Sequence, residues 1–395
     1  MFWKLLFYEY KKMWKRKTVW FSLIGAYLVV WFSTCTLFLG DVYVEGGRAC
    51  TMQEYEEACA RAAKELEGKK MDQALFEQYA RGYEEYAKLQ PGTDFTAADY
   101  LRVQETYLPS ILLEHWKAAA LVPDGSKSVY EDRAASLLKT YENQHLSAQE
   151  IRWHQKEIQE TGIITYSYNE GANRFIQLQA STLLFTAIAV VIVAAPLFAE
   201  EYSLKTDSFL LSSRYGRKKA AAAKLTAGFS YTVLVSLLYF LTSFFMQMEI
   251  YGTGDFQAAA QTMICMADKS YSLTVGQAVA AIFVCGILSQ CLLAAVVMLC
   301  SSRMNTPFAP VILGLVLAIV PMFGSIFPQD QGLLSVLFYA LPSSFGTAET
   351  VFCSQLLSLG SLCIPAYLFV PVGCLLLLLL LSLLSKSWFC RHEAG

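Results

Sequence analysis

Glu150 and His154 stand four residues apart in a stretch of helical composition, so their side chains fall on one helix face, the spacing used by metal-binding and acid–base pairs. The pattern stops there. No His-Glu-x-x-His run occurs, the remaining histidines are His115, His145 and His392, and the face reads as a solvated one. No Gly-x-x-x-x-Gly-Lys-Ser/Thr loop is present to cradle a nucleotide, so the chain is not expected to supply its own ATPase. No Gly-x-Ser-x-Gly elbow offers a nucleophile either. The 11 cysteines include no Cys-x-x-Cys pair. Cys35, Cys285, Cys291, Cys300 and Cys374 lie in apolar runs as small hydrophobes, while Cys50, Cys59, Cys265 and Cys353 are expected on the outer side, an even set that permits disulfides without requiring them. The expectation is therefore a non-enzyme, with no catalytic, metal or cofactor set in this chain.

The residues with the most directed chemistry lie elsewhere, in the joint from Phe198 to Lys224 between two long apolar runs. Six cations, Lys205, Arg214, Arg217, Lys218, Lys219 and Lys224, face three anions, Glu200, Glu201 and Asp207, a net charge of +3. Short loops rich in Lys and Arg stay on the cytoplasmic side. Among the charges sit Leu204, Phe209, Leu210 and Leu211, followed by a turn signal at Tyr215-Gly216, which reads as a short amphipathic helix beneath the membrane. Taken alone, the basic cluster serves simply to fix topology.

Phe198, Glu201, Thr206, Leu210, Leu211, Ser213, Gly216, Arg217 and Lys224 together give a pattern that resembles the cytoplasmic coupling loop of ABC exporter permeases of the type-2 membrane family. Lys205 departs from it, standing where many members carry glycine. The resemblance implies that the loop docks on a separate ATP-binding-cassette subunit, which binds the ATP, and that two permease copies or related permeases form the pathway. It assigns coupling to Glu201, Leu204, Thr206, Phe209, Leu210, Leu211, Arg214, Gly216 and Arg217. Leu204, Phe209, Leu210 and Leu211 would form an apolar knob, with Arg214, Arg217, Lys218 and Lys219 setting its orientation. The segment from Tyr166 to Gly171 and the large insert after the first span resemble the subset of that family with an extracytoplasmic domain there.

Composition agrees with a membrane chain. Of 395 residues, 55% are hydrophobic and only 16% charged, against roughly 25% charged in soluble domains. No basic stripe offers a nucleic-acid surface. Residues 1–17 place Trp3, Leu6, Phe7, Tyr10, Met13 and Trp14 at helical spacing opposite several lysines, an amphipathic elbow helix whose Trp3, Phe7, Tyr10 and Trp14 are expected at the lipid interface. Residues 18–40 form the first span, about 34 Å long at ~1.5 Å per residue, retained because no small-residue cleavage pattern follows.

Residues 41–177 hold 23 acidic and 15 basic residues, net −8, whereas the rest of the chain holds 10 and 16, net +6. The acidic block belongs outside as a helical extracytoplasmic domain. Thr51 to Leu66 and Met71 to Leu89 read as helices, Ser147 with Glu150 as a capping box, and Ile163 to Tyr168 as a weak strand. Residues 178–395 are a five-helix membrane domain containing the coupling loop 199–224. Its expected spans are Leu178–Phe198, Leu225–Met246, Val275–Cys300, Phe308–Phe327 and Leu362–Leu384. Two apolar pieces, Gly332–Leu341 and Thr350–Leu359, are too short to cross and read as re-entrant helices. The expectation is an all-α protein of the cell membrane with six spans and both termini cytoplasmic. The span centres carry no Asp, Glu, His, Lys or Arg, which disfavours an ion-gradient carrier.

The leading reading is the permease subunit of an ATP-driven exporter, with an amphipathic or cationic cargo such as an antimicrobial peptide suiting the acidic outer domain. The alternative is a membrane-anchored sensor or assembly factor whose outer domain binds a ligand.

Overall fold

The computed structural model describes residues 2–39, 41–44, 48–51, 60, 63–64, 66–77, 128–206, 209, 212, 217–321, 323, 339–360 and 362–391. Helix α1 (Phe2–Trp14) is followed at once by α2 (Lys17–Leu39). Strands β1 (Asp41–Val44) and β2 (Arg48–Thr51) pair antiparallel, Asp41 opposite Thr51. Helices α3 (Val129–Asn143) and α4 (Ala148–Thr161) follow within the insert. Then come α5 (Glu170–Ala194), α6 (Pro196–Ser203), α7 (Lys218–Tyr251), α8 (Val275–Ser301) and α9 (Phe308–Ile319). A 3₁₀ turn (Pro342–Gly346), a single turn α10 (Ala348–Val351), the hairpin β3 (Leu357–Leu359) and β4 (Leu362–Ile364), and α11 (Ala366–Arg391) complete the chain.

Five helical stretches are long and apolar enough to cross a membrane: Lys17–Cys35, Glu170–Ser203, Lys218–Tyr251, Val275–Ser301 and Ala366–Arg391. They differ in how they bury that apolar surface. The stretch containing α5 and α6 and the helix α8 bury 72% and 67% of their most apolar windows, so they form the centre of the bundle. In α2 and α11 the shares are only 22% and 17%, leaving Phe21, Ile24, Leu28, Leu376, Leu379 and Leu383 uncovered. Apolar faces of that extent need a second apolar phase, and lipid is the phase whose thickness matches the helix length.

Helix α5 touches α2, α7, α8 and α9, and three apolar clusters lie along it. Phe175 and Ile176 near its start pack with Met263, Tyr271 and Phe352 at the end of the bundle nearest the insert. Leu183, Ala189 and Val193 meet Val19, Val30, Tyr231 and Tyr239 along α2 and α7. Ala187, Val190 and Val191 meet Leu293, Val297 and Ala318 toward the opposite end. Close approach needs small residues. A Cβ on Gly171 would lie 2.4 Å from the Gly252 carbonyl oxygen, so only glycine lets the start of α5 meet the end of α7.

The chain is mostly helical, in keeping with an all-α membrane protein, and among the described residues four short strands form two hairpins. Several finer expectations require correction. The re-entrant helix expected over Thr350–Leu359 is one turn ending at Val351, and Leu357–Leu359 then run extended against Leu362–Ile364, so the last span starts at Ala366. Apolar content alone did not distinguish strand from helix there, and Gly360 at φ +64° supplies the intervening turn. The weak strand at Ile163–Tyr168 reduces to one bridge between Lys70 and Thr165. The second span starts earlier than Leu178, at Glu170, and breaks at Ala195, because Pro196 has no N–H to continue the ladder. Helices α7 and α8 extend past the apolar windows read as spans, as backbone pairing continues wherever no breaker intervenes. The span expected over Phe308–Phe327 is described as the helix α9, with most of Gly332–Leu341, Thr51–Leu66 and Met71–Leu89 outside the described residues.

Candidate functional site

The site begins at the break in the second span. Helix α6 starts with Pro196, so the N–H groups of its first turn have no partner within the helix. Ser301, on the last turn of α8, supplies one from outside. Its Oγ accepts the Phe198 and Ala199 N–H groups at 3.2 and 2.9 Å and donates to the Ala195 carbonyl at 2.6 Å. The Tyr202 hydroxyl donates to the Ser302 carbonyl at 3.1 Å, and the Phe198 ring lies 5.1 Å from that of Phe389 on α11. Helix α6 is thereby fixed to both α8 and α11.

Its C-terminal end is equally well defined. Thr206 N–H donates to Glu201 O at 3.0 Å and Lys205 N–H to Tyr202 O at 3.1 Å, the paired bonds of a Schellman cap. Lys205 occupies the left-handed position of that cap with φ 53°, a conformation glycine adopts freely. Lys205 thus keeps the backbone geometry that glycine would adopt there. Thr206 Oγ1 donates to Glu201 Oε2 at 2.7 Å, tying the first residue beyond the cap to the helix.

Six charges then close around the base of the loop. Lys224 is fully buried on α7, with its ammonium 2.8 Å from Glu201 Oε1 and 3.1 Å from Glu9 Oε1 of α1. Lys12 reaches the same Glu201 oxygen at 2.8 Å and Glu200 Oε2 at 2.9 Å, and Arg16 pairs with Glu200. Three cations balance three carboxylates, drawn from α1, the α1–α2 turn, α6 and α7. Burial depresses the Lys12 ammonium, but the bonds and charge of Glu201 and Glu200 outweigh it and hold Lys12 above its ordinary range. On the far side, Arg217 Nη1 donates to the Cys390 carbonyl of α11 at 3.5 Å.

From this base the apolar residues stand out. Leu204 is 61% exposed and Phe209 80%. Leu210, Leu211, Arg214 and Gly216 lie outside the described residues. Of the sequence-assigned coupling residues, then, Glu201 and Thr206 belong to the base, Leu204 and Phe209 are solvent-facing, and Arg217 touches α11. Glu9, Lys12 and Arg16 were missed as members of the site. Their only sequence signal is an acid at position 9 among six basic residues between 4 and 17, one that a pure orientation signal does not need.

The elbow is a helix as expected, but its apolar residues divide between two surroundings. Leu6 and Met13 are buried, Leu6 against Ala223 and Ala227 of α7, and the Tyr10 hydroxyl bonds Ser230. Trp3 and Phe7 are 77% and 64% exposed, and Trp14 stacks near Trp20 and Tyr231. Helix α1 is thus seated on the protein by one edge and leaves Trp3 and Phe7 uncovered on the other.

At the opposite end, the Glu150–His154 face is not simply solvated, since Glu150 is partly exposed but His154 is not. His154 is fully buried, and its Nε2 donates to the Ser354 carbonyl at 2.7 Å while Nδ1 accepts from Ser270 Oγ at 2.6 Å. Ser270 Oγ in turn accepts from the Tyr141 hydroxyl at 3.0 Å, so the network is satisfied by a neutral imidazole. Burial lowers the His154 pKa, against the opposing bond to Ser354 and charges of Glu150 and Glu157. Glu150 Oε1 accepts the Leu356 N–H at 3.0 Å and Glu157 Oε2 accepts the Ser272 N–H at 2.9 Å. Arg133 adds bonds to the Ala267 and Lys269 carbonyls at 2.9 and 2.7 Å. The face joins α3 and α4 to two loops of the bundle, burying His154 while Glu150 and Glu157 stay partly exposed. The Ser147 capping box is present as expected. Among the described residues no group of three or more His, Cys, Asp and Glu side chains is arranged to hold a metal, and Cys265 and Cys353 are free thiols.

Comparison with known proteins gives no match to a family model, to a curated protein or to a solved structure.

Proposed function

We propose that this chain is the membrane-spanning permease subunit of an ATP-driven exporter, crossing the membrane six times with both termini cytoplasmic and working as a pair with itself or a related permease. A separate ATP-binding-cassette subunit binds ATP and docks on loop 199–224. The observation that carries the reading is the contrast between Leu204 and Phe209, which stand exposed, and the base beneath them, which is tied to α1, α7, α8 and α11. A partner that grips the two apolar side chains moves the base, and a base fixed to four helices carries that movement into the bundle. Exposed apolar side chains beside charged neighbours are also what a protein partner uses as anchors.

The test is co-purification with a nucleotide-binding subunit followed by ATPase assay of the complex in lipid. Phe209→Ala and Leu204→Ala are expected to weaken assembly or coupling by roughly tenfold, as loss of an anchor of about 1.4 kcal/mol would, with unfolding behaviour unchanged. Coupling equal to wild type in the double variant would remove the docking role.

The second reading, a membrane-anchored sensor or assembly factor, draws on the sealed contact of α3 and α4 with the loops at 270–272 and 354–356, a route by which a ligand on the outer domain would reach the bundle. A sensor needs no nucleotide-binding partner. Stable isolation of the chain with a kinase or peptidase instead would favour it.

A further inference from the structure

At the end of the bundle remote from α1, a cavity of about 330 Å³ opens between the first turn of α11, the 3₁₀ turn at Pro342–Gly346 and the segment before β3. That is within the range of ~300–1,000 Å³ typical of small-molecule sites. Phe345, Leu356, Phe369 and Val370 give it apolar walls, and Tyr339 adds a third ring. Among the described residues the lining contains one carboxylate, Glu349, and no lysine, arginine or histidine. Glu349 is exposed and forms no ion pair among the described residues. A second carboxylate lies beside the wall, since Glu150 accepts the N–H of Leu356. The nearby ammonium of Lys269 lies 3.6 Å from Asp268 Oδ2, a partner of its own.

We propose that this cavity binds a small organic ammonium ion carrying an aromatic or short alkyl group. Aromatic rings attract a weakly hydrated cation through their negative faces, and an adjacent carboxylate adds charge complementarity. An anion of the same size would meet two carboxylates with no cation in the lining, and a neutral molecule would leave Glu349 unused. The occupant is a soluble cation rather than the ammonium headgroup of a lipid, because the cavity's volume is that of a small molecule. The site rests on the cavity and does not depend on export: binding is measured on this chain alone, without an ATPase.

The experiment is calorimetric titration of the full chain in maltoside micelles with benzyltrimethylammonium, benzyl alcohol and benzenesulfonate. One saturable site for the cation is expected, with the alcohol weaker and the sulfonate weaker still. Glu349→Gln, at an exposed position that leaves the fold intact, is expected to weaken the cation roughly fivefold, the size of a partly exposed charge interaction, without changing the alcohol. Phe369→Ala should weaken both. No saturable binding, equal affinity for the sulfonate, or an unchanged cation affinity in Glu349→Gln would each overturn the proposal. Displacement of the cation by soluble dihexanoyl phosphatidylcholine at equal concentration would transfer the site to a lipid headgroup and overturn it as well.

Discussion

The charge cluster at the loop base makes an asymmetric prediction about which charge the protein can lose. Lys224 has no exposed side-chain surface, whereas Glu9 and Glu201 keep 15% and 12% of theirs. Replacing Lys224 by Met removes the buried ion and leaves an unbranched apolar chain. Glu201 then keeps Lys12 at 2.8 Å and Thr206 at 2.7 Å, Glu200 keeps Arg16, and Glu9 has a route to water. The cost should be about 1–2 kcal/mol, near that of a partly solvated ion pair with its hydrogen bonds. The double change Glu9→Gln with Glu201→Gln does the opposite: it strands the ammonium where nothing else on the described residues neutralises it. An uncompensated buried charge costs about 3–5 kcal/mol. The two perturbations therefore differ by about 2 kcal/mol, a roughly thirtyfold difference in the folded-to-unfolded ratio.

Equilibrium unfolding of the purified chain by dodecyl sulfate titration from maltoside micelles, followed by tryptophan fluorescence, measures both. The triple variant Glu9→Gln, Glu201→Gln, Lys224→Met supplies the decisive arm, because deleting the stranded cation should restore stability toward that of Lys224→Met alone. If Lys224→Met costs as much as the double variant, or the triple variant is no better than the double, the ammonium is not the buried charge that organises the cluster and the reasoning fails.

Other perturbations test separate parts of the structure. Ser301→Ala leaves two buried N–H groups of α6 without a partner and should cost about 1–3 kcal/mol in the same titration, with Ser301→Thr retaining most of it; no loss for the Ala variant would show that another group caps α6. Lys205→Gly should hold stability within about 1 kcal/mol of wild type, while Lys205→Val, a branched residue at φ 53°, should lose about 1–2 kcal/mol; the two variants unfolding alike would contradict the cap. The lowered pKa of His154 means that the unfolded chain binds this proton more readily. Its contribution is complete above the unfolded value of about 6.5 and falls as pH drops below it toward the folded pKa. Hydrogen exchange of residues 148–161 should therefore accelerate between pH 7.5 and 5.5, less so in His154→Gln, and a pH-independent rate corrected for intrinsic exchange would refute it.

How much of this was legible beforehand depended on the distance over which each feature is encoded. The membrane helices follow from runs of apolar residues, and Val275–Ser301 differs from its expected bounds by one residue. Caps are equally local: Ser147 and Glu150 are three apart and their bonds need nothing else. Leu357–Ile364 misled because an apolar run of that length fits a strand as well as a helix, and the pairing partner is itself part of the run. His154 misled for a different reason. A face bearing Glu150, His154 and Glu157 has the composition of a wet surface, and only the loops at 270–272 and 354–356, more than 100 residues away in the chain, bury His154 within it.

The loop base combines both kinds of encoding. The positions of Glu201, Thr206 and Lys224 carried a pattern, but their partners Glu9, Lys12 and Arg16 lie near the N-terminus, where the lysines were read as facing lipid and Glu9 was given no role. The consequence is physical. An elbow whose lysines only met lipid headgroups would slide freely beneath the bundle, and removing it would leave the loop base unchanged. Because Glu9 shares Lys224 with Glu201, and Lys12 shares Glu201 with Lys224, displacing α1 withdraws one carboxylate from a fully buried cation and one cation from Glu201. The elbow is therefore part of the base on which Leu204 and Phe209 stand, and a force that lifts it from α7 must either carry α6 with it or pay the cost of separating those charges.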